Sequence, residues 1–230
     1  MYQFYCAPDT YAMGVHILLE ELAVDYKLIK LSLPKSMADE LKPEDYPAGF
    51  LQASPHGKVP ALRHAHGAVC ESGAIALYLA DTHADKGFTL ALDHPQRAAY
   101  LQWLFYLSST LQPDVMLQFH PEVYFSDTTQ QSQLQAASLQ RLSGIMTILD
   151  GEYEGRTWLF DDRPTAIDFC LAIPLLWPEC VPGGLAIYPN LQRMLTALAE
   201  RLLFSMLWTG IRSNLQAVEQ GAISKQSCKG

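Results

Sequence analysis

The hydrophobic period of this chain changes once, and that change divides it. From Tyr2 to about His83, short β-type runs alternate with helical ones, whereas from Pro95 onward every apolar pattern has helical spacing. Tyr2 to Cys6 is a compact apolar strand. Ala12 to Leu22 sets Val15, Leu18, Leu19 and Leu22 at helical intervals, and Tyr26 to Leu33 alternates as a second strand. This is a βαβ unit, and the right-handed crossover rule makes its two strands parallel neighbours. After a stretch rich in proline and acids, Leu33 to Gly49, two short strands are expected at Lys58 to Arg63 and Ala68 to Cys70 around the turn His64-Ala-His-Gly67. A helix from Ser72 to Asp81 follows. The order βαβ-ββα predicts an α/β domain with a mixed four-stranded sheet over residues 1–83.

A polar linker, 84–94, leads into an all-helical domain, 95–212. Pro95 suits the first turn of a long helix reaching about Phe119, in which Trp103, Phe105, Tyr106 and Leu107 crowd together as on a helix buried on more than one face. Further helices are expected at Thr129 to Asp150, Thr165 to Leu176 and Leu191 to Leu203. Thr165-Ala-Ile-Asp168 reads as a capping box. The polar tail, 213–230, is expected to be loosely ordered.

Composition narrows the function classes. With 16 basic against 24 acidic side chains the net charge is −8, and no run of Lys or Arg offers a stripe for phosphates, so no nucleic-acid partner is expected. The N-terminus lacks the basic start of a signal peptide, and no apolar stretch approaches the roughly 20 residues that span a bilayer. The five cysteines are odd in number and scattered without Cys-x-x-Cys, which fits reduced thiols better than disulfides or zinc. The expectation is a soluble cytoplasmic protein without membrane or metal. His64-x-His66, the one pair with metal-like spacing, falls in a hairpin turn with no evident third ligand.

The chemistry concentrates in Gln52-Ala-Ser-Pro-His-Gly-Lys-Val-Pro-Ala-Leu62 and in the helix opened by Glu71-Ser72. Proline cannot donate to a ladder, so a Val-Pro step entering a strand suits a cis peptide at Pro60 that leaves the Val59 backbone facing outward, open to an extended peptide. Glu71 and Ser72 begin a helix whose free amides and positive dipole end suit a carboxylate, while the Glu71 side chain can accept from an ammonium. Together they would bind a small zwitterionic peptide.

On these motifs the chain resembles the cytosolic-type glutathione transferases over nearly its whole length, and the resemblance implies a thioredoxin-like N-terminal domain, an all-helical C-terminal domain and a homodimer. It implies glutathione as co-substrate, with Val59 pairing to its cysteinyl backbone, Pro60 as the cis-proline, Glu71 and Ser72 on the γ-glutamyl end, and Lys35 and Lys58 within reach of the glycine carboxylate. Phe4-Tyr5, Pro8, His16-Ile17, Asp45-Tyr46 and Gln102-Trp103-Leu104 are most similar to the bacterial beta class. Members of that class carry a cysteine where this chain has Tyr11. The Asn and the His-Lys pair of their fourth helix fall on Phe105 and on Gln112-Pro113.

A glutathione transferase lowers the pKa of a thiol that ordinarily titrates near 8.5, through a hydrogen-bond donor at the sulfur beside a helix N-terminus. Thr10 and Tyr11, in the loop after the first strand, are the favoured donors, and Tyr5, at the end of that strand, is the third. Each has a plainer role: Thr10 as a helix cap, Tyr5 as a packed strand aromatic, Lys35 and Lys58 as solvated charges. Phe105, Ser109 and Gln112 are the expected positions for a small hydrophobic electrophile, with Trp103, Tyr106, Phe119 and Tyr124 nearby. The expected activity is attack of the glutathione thiolate on such an electrophile, by transfer or by reduction of a peroxide or disulfide. The alternatives are a glutathione-binding or scaffold protein of the same fold without turnover, and an isomerase that returns its glutathione.

Overall fold

The computed structural model describes residues 1–34, 36–37, 42–160 and 162–202; Lys35 and the polar tail lie outside these. Strands β1 (Tyr2–Cys6), β2 (Tyr26–Lys30), β3 (Ala61–His64) and β4 (Gly67–Cys70) form one sheet in the order β2-β1-β3-β4. β1 and β2 are parallel, and the other two pairs are antiparallel. β2 ends at Lys30 and β3 begins only at Ala61, both shorter than the apolar runs suggested. For β3 the reason is Pro60, which has no N–H to give to a ladder.

Strand alternation sends Phe4, Cys6 and Leu62 to one face of the sheet and Tyr5 and Ala61 to the other. On the first face lie helices α1 (Ala12–Leu22) and α3 (Ser72–Thr82), burying Val15, Leu18, Leu19 and Leu22 from one and Ile75, Ala76, Leu79 and Ala80 from the other. The second face is closed by α2 (Phe50–Ala53), a single turn just after the proline- and acid-rich stretch, for which no helix was expected; there Phe50 packs under Tyr5.

The helical domain comprises α4 (Arg97–Tyr106), α5 (Gln112–Phe119), α6 (Thr128–Glu152), α7 (Ala166–Leu175) and α8 (Pro189–Leu202). The single long helix expected from Pro95 to Phe119 is α4 and α5 joined by one π turn, Leu107–Leu111. Pro113 accounts for it: with no N–H at 113 the Ser109 carbonyl lacks its α-helical donor, and the ring crowds that carbonyl, so the coil widens. Ser108 and Ser109 turn their hydroxyls back to the carbonyls of Leu104 (3.1 Å) and Phe105 (2.7 Å).

α7 is the centre of the helical domain. Asp168 is fully buried and accepts four hydrogen bonds, from the Tyr153 hydroxyl (2.7 Å), the Leu159 amide (3.2 Å), the Thr165 amide (2.7 Å) and the Thr165 hydroxyl (3.0 Å). The capping box is thus present with its hydroxyl used differently, given to the carboxylate. Burial still pushes the Asp168 carboxyl above its ordinary value, against those donors.

α1 and α3 both pack on α7, which makes the two domains share one core. At the tightest point a Cβ on Gly14 would stand 2.8 Å from the Phe169 carbonyl oxygen. A second joint is Arg97, bidentate to Asp81 with bonds of 3.0 and 2.6 Å and bonded also to Thr89 and the Leu90 carbonyl, which clamps the end of α3 to the start of α4.

Candidate active site at the end of the sheet

Strand direction gathers the chemistry in one place. β1 and β2 run parallel, so the chain after Cys6 and the chain after Lys30 leave at the same end of the sheet. Ala61 pairs with Tyr5 and with Cys70, so the residues entering β3 and those leaving β4 meet at that same end. Read across the strand order, the rim therefore carries the segment after β2, the Ala7–Tyr11 turn, Val59-Pro60 and Glu71-Ser72. Two helix N-termini, of α1 and α3, open on it.

Val59-Pro60 is a cis peptide, and half-buried Val59 lies outside the ladder, which starts at Ala61. The Ser54 hydroxyl donates to the Lys58 carbonyl (2.7 Å) and accepts from the Lys58 amide (3.1 Å), closing the turn that delivers Val59, while the Lys58 side chain is exposed. Glu71 is exposed with φ +72° and ψ +121°, a conformation costly for a residue with a Cβ, and its carbonyl takes the first bond of α3 from Ile75 (2.9 Å). Such strain is retained where the surroundings hold it, often at ligand clamps. Ser72 beside it is buried.

The three hydroxyls expected to compete for a thiol have different surroundings. Thr10 is half-buried at the start of α1, donating to the Ala7 carbonyl (2.8 Å) and accepting from the Ala12 amide (3.3 Å). Tyr11 turns its ring edge against Trp177, with centroids 5.2 Å apart, and its hydroxyl is enclosed without a hydrogen-bond partner. Burial pushes that phenol well above its ordinary range, and the nearby Cys180 and Cys170 thiols push it further. Tyr5 is 1% exposed and packs on Phe50 at 5.2 Å, on the sheet face opposite α1. Cys170 and Cys180 are themselves pushed up to about 12 by burial, so they stay protonated.

The helical domain reaches the rim at several points. A Cβ on Gly73, second residue of α3, would collide with the Ser108 hydroxyl, so the π turn sits directly against the N-terminus of that helix. Ser108 makes that approach. Phe105, 64% exposed near the end of α4, and Ser109, exposed in the turn itself, are open to solvent, and Gln112 is half-buried. Trp177 continues from Tyr11 to Phe119, 5.3 Å between centroids, forming an aromatic wall beside α1. Local pattern gave no sign of Trp177, whose neighbours in space come from residues more than fifty positions away. His64 of the hairpin stacks on Tyr78 at 4.8 Å. Among the described residues no group of three or more His, Cys, Asp or Glu is placed to hold a metal ion, and no helix is long and apolar enough to cross a membrane.

Comparison with known proteins agrees with this architecture domain by domain. Residues 4–87 match the family model for the glutathione S-transferase N-terminal domain, and residues 112–201 match that for the C-terminal domain. The chain belongs to the glutathione S-transferase family. Among relatives of this transferase-family chain, the disulfide-bond oxidoreductase YfcG of Escherichia coli (strain K12) is 38% identical over 120 residues. That match spans 49% of this chain and 51% of the relative, about half the length of each. A sphingomonad glutathione S-transferase solved with glutathione is 27% identical, with a TM-score of 0.71, covering 94% of this chain and 98% of that one. The beta-class enzyme of Sphingomonas chungbukensis shares the fold with a TM-score of 0.71 at 23% identity, over 96% of this chain and 100% of that one.

Proposed function

We propose that the chain binds glutathione across the end of the sheet and presents its thiolate to a small apolar electrophile. The observation that carries this is the convergence on one rim of the Val59 backbone, the strained Glu71 ahead of Ser72 at the N-terminus of α3, and Thr10 at the N-terminus of α1. In this arrangement the peptide's cysteinyl backbone lies along Val59. Its γ-glutamyl carboxylate takes the amide and the hydroxyl of Ser72, its ammonium takes Glu71, and its glycine carboxylate extends toward Lys58 and the chain that follows β2. The sulfur then points to the start of α1.

Of the hydroxyls weighed from sequence, Thr10 alone is both accessible and on the rim, and it is the one proposed to donate to the sulfur. To do so it exchanges its bond to the Ala7 carbonyl for one to a thiolate, which is the stronger acceptor. The hydrogen bond and the field of α1 both favour the charged thiol, raising thiolate abundance at neutral pH. The thiolate attacks an electrophilic carbon, forming a C–S bond as the leaving group departs with its electron pair. On a disulfide it releases one thiol and leaves a mixed disulfide, which a second glutathione resolves to oxidised glutathione. The wall of Tyr11, Trp177 and Phe119 supports an apolar partner for that sulfur. Phe105, Ser109 and Gln112 line the outer side of the approach.

Calorimetric titration with glutathione, together with the ultraviolet absorbance of the bound thiolate, tests this. Wild-type protein should bind glutathione and show the thiolate band near neutral pH. Ser72→Ala should weaken binding about tenfold, the scale of one hydrogen bond to a charged group. Thr10→Ala should reduce the band while binding persists, and Thr10→Ser should keep it. Binding without a thiolate band would return the reading to a glutathione-binding scaffold, in which Thr10 serves only as a cap. Absence of binding would overturn both.

A further inference from the structure

Besides the Tyr11–Trp177 and Gly73–Ser108 approaches, the helical domain touches the rim at a third point. Ser36, in the segment that leaves the sheet after β2, donates its hydroxyl to the Glu122 carboxylate at 3.1 Å, across 86 positions of sequence. Glu122 belongs to the short turn Pro121–Val123 that follows α5, and His120 holds the same carboxylate oxygen at 3.3 Å from its Nδ1. One residue before His120 is Phe119, which leads through Trp177 to Tyr11. The contacts therefore run from the start of α1, over the helical domain, and back to the first domain at the segment after β2. Glu122 is the point where that circuit returns.

We infer that Glu122 is a positioning residue for glutathione: through Ser36 it holds the segment after β2 in place at the glycine end of the rim, without touching the peptide itself. The inference rests on the glutathione reading above. Between Leu31 and Gly49 the described chain has no regular element beyond the single turn Pro43–Asp45, so the order of this segment is a cost met either on binding or beforehand. A carboxylate acceptor makes the tie a charge-assisted bond. Burial alone would raise the Glu122 carboxyl, but bonds from its own backbone amide, from His120 and from Ser36 outweigh that and hold it below its ordinary value, so it is ionised at neutral pH.

Steady-state kinetics and calorimetry on the full chain test the tie through Glu122→Ala, Glu122→Gln and Ser36→Ala. Glu122→Ala and Ser36→Ala should each raise KM and Kd for glutathione about five- to tenfold, the scale of a lost pre-ordering contact. kcat and the KM of the electrophile should stay within about twofold, because neither residue meets the reacting atoms. Glu122→Gln keeps an acceptor oxygen and should recover most of the affinity. The double variant Ser36→Ala/Glu122→Ala should lose clearly less than the sum of the two single changes, since both remove the same Ser36–Glu122 bond.

Unchanged glutathione affinity in both alanine variants, a fall in kcat at constant KM, or additive losses would each overturn the inference. Hydrogen exchange without ligand separates its failure from failure of the function reading. If Glu122 orders the segment after β2, exchange there accelerates in Glu122→Ala relative to wild type, irrespective of glutathione. Accelerated exchange in Glu122→Ala, with a wild-type protein that does not bind glutathione, overturns the glutathione role while leaving the structural tie, and unaltered exchange in Glu122→Ala overturns the tie itself.

Discussion

Thr10 and Tyr11 are adjacent, and either could serve a thiol on chemical grounds, yet their hydroxyls have opposite surroundings. The Thr10 hydroxyl is at the rim and engaged at the start of α1, while the Tyr11 hydroxyl is enclosed among Trp177 and the thiols of Cys170 and Cys180 with nothing to bond. A buried hydroxyl without a partner costs about 1–3 kcal/mol of desolvation, so its removal relieves the protein. Tyr11→Phe is therefore expected to leave glutathione turnover within about twofold of wild type and to hold the unfolding free energy or raise it by up to about 1 kcal/mol. Loss of the thiolate band in Tyr11→Phe would make Tyr11 the donor and displace Thr10. From sequence, Thr10 and Tyr11 were favoured jointly over Tyr5; only the direction in which each side chain leaves the backbone tells the two apart.

Within the first βαβ unit, α1 and β2 are joined by a polar contact inside an apolar layer. His16 is 8% exposed, with its Nε2 2.7 Å from the Tyr26 hydroxyl, which donates to the Glu20 carboxylate. Burial lowers the His16 pKa; the Glu20 carboxylate opposes the shift, and Lys30 adds to it. With the folded value below the unfolded one, the native state binds fewer protons than the unfolded state as pH falls past about 6.5. His16 thus contributes stability that is present above that pH and is lost below it, levelling off once the folded value is passed. The urea midpoint measured from pH 8 to pH 5 should fall less in His16→Gln than in wild type. Parallel curves would mean that His16 ionises as freely in the folded protein as in the unfolded one.

At the scale of the molecule, α1 belongs to the candidate site by its N-terminus and to the domain joint by its side. Gly14 lies where α1 crosses α7, and the atom facing it is the Phe169 carbonyl, a backbone group that cannot rotate aside. Alanine would gain about 1 kcal/mol in helix propensity, but overpacking against backbone costs about 1–3 kcal/mol. Gly14→Ala should therefore be destabilising by about 1 kcal/mol, a fall in Tm of about 2–4 °C for a chain of this size. It should also weaken glutathione binding, because the N-terminus of α1 moves with the helix. A melting temperature equal to or above wild type would show that α1 and α7 separate without cost.

Periodicity alone determined the larger plan: one βαβ unit, one ββα unit and a helical remainder, because burial on a strand repeats every two residues and on a helix every 3.6. The Val-Pro step and the Glu-Ser helix start were likewise visible, since each is a local backbone arrangement written in neighbouring residues. The π turn was latent in Pro113 and was missed, because one absent amide does not alter the hydrophobic period. Trp177 beside Tyr11, Ser108 rather than Ser109 against α3, and Glu122 tied to Ser36 were out of reach for a different reason. Each is a meeting of side chains far apart in sequence, decided by how two packed layers turn relative to each other, and no local propensity encodes that angle. The motifs thus pointed to a small zwitterionic peptide as the ligand to test. Tertiary packing decided which of the candidate hydroxyls is enclosed and which stands open at the rim, and it tied Ser36 to a carboxylate of the helical domain.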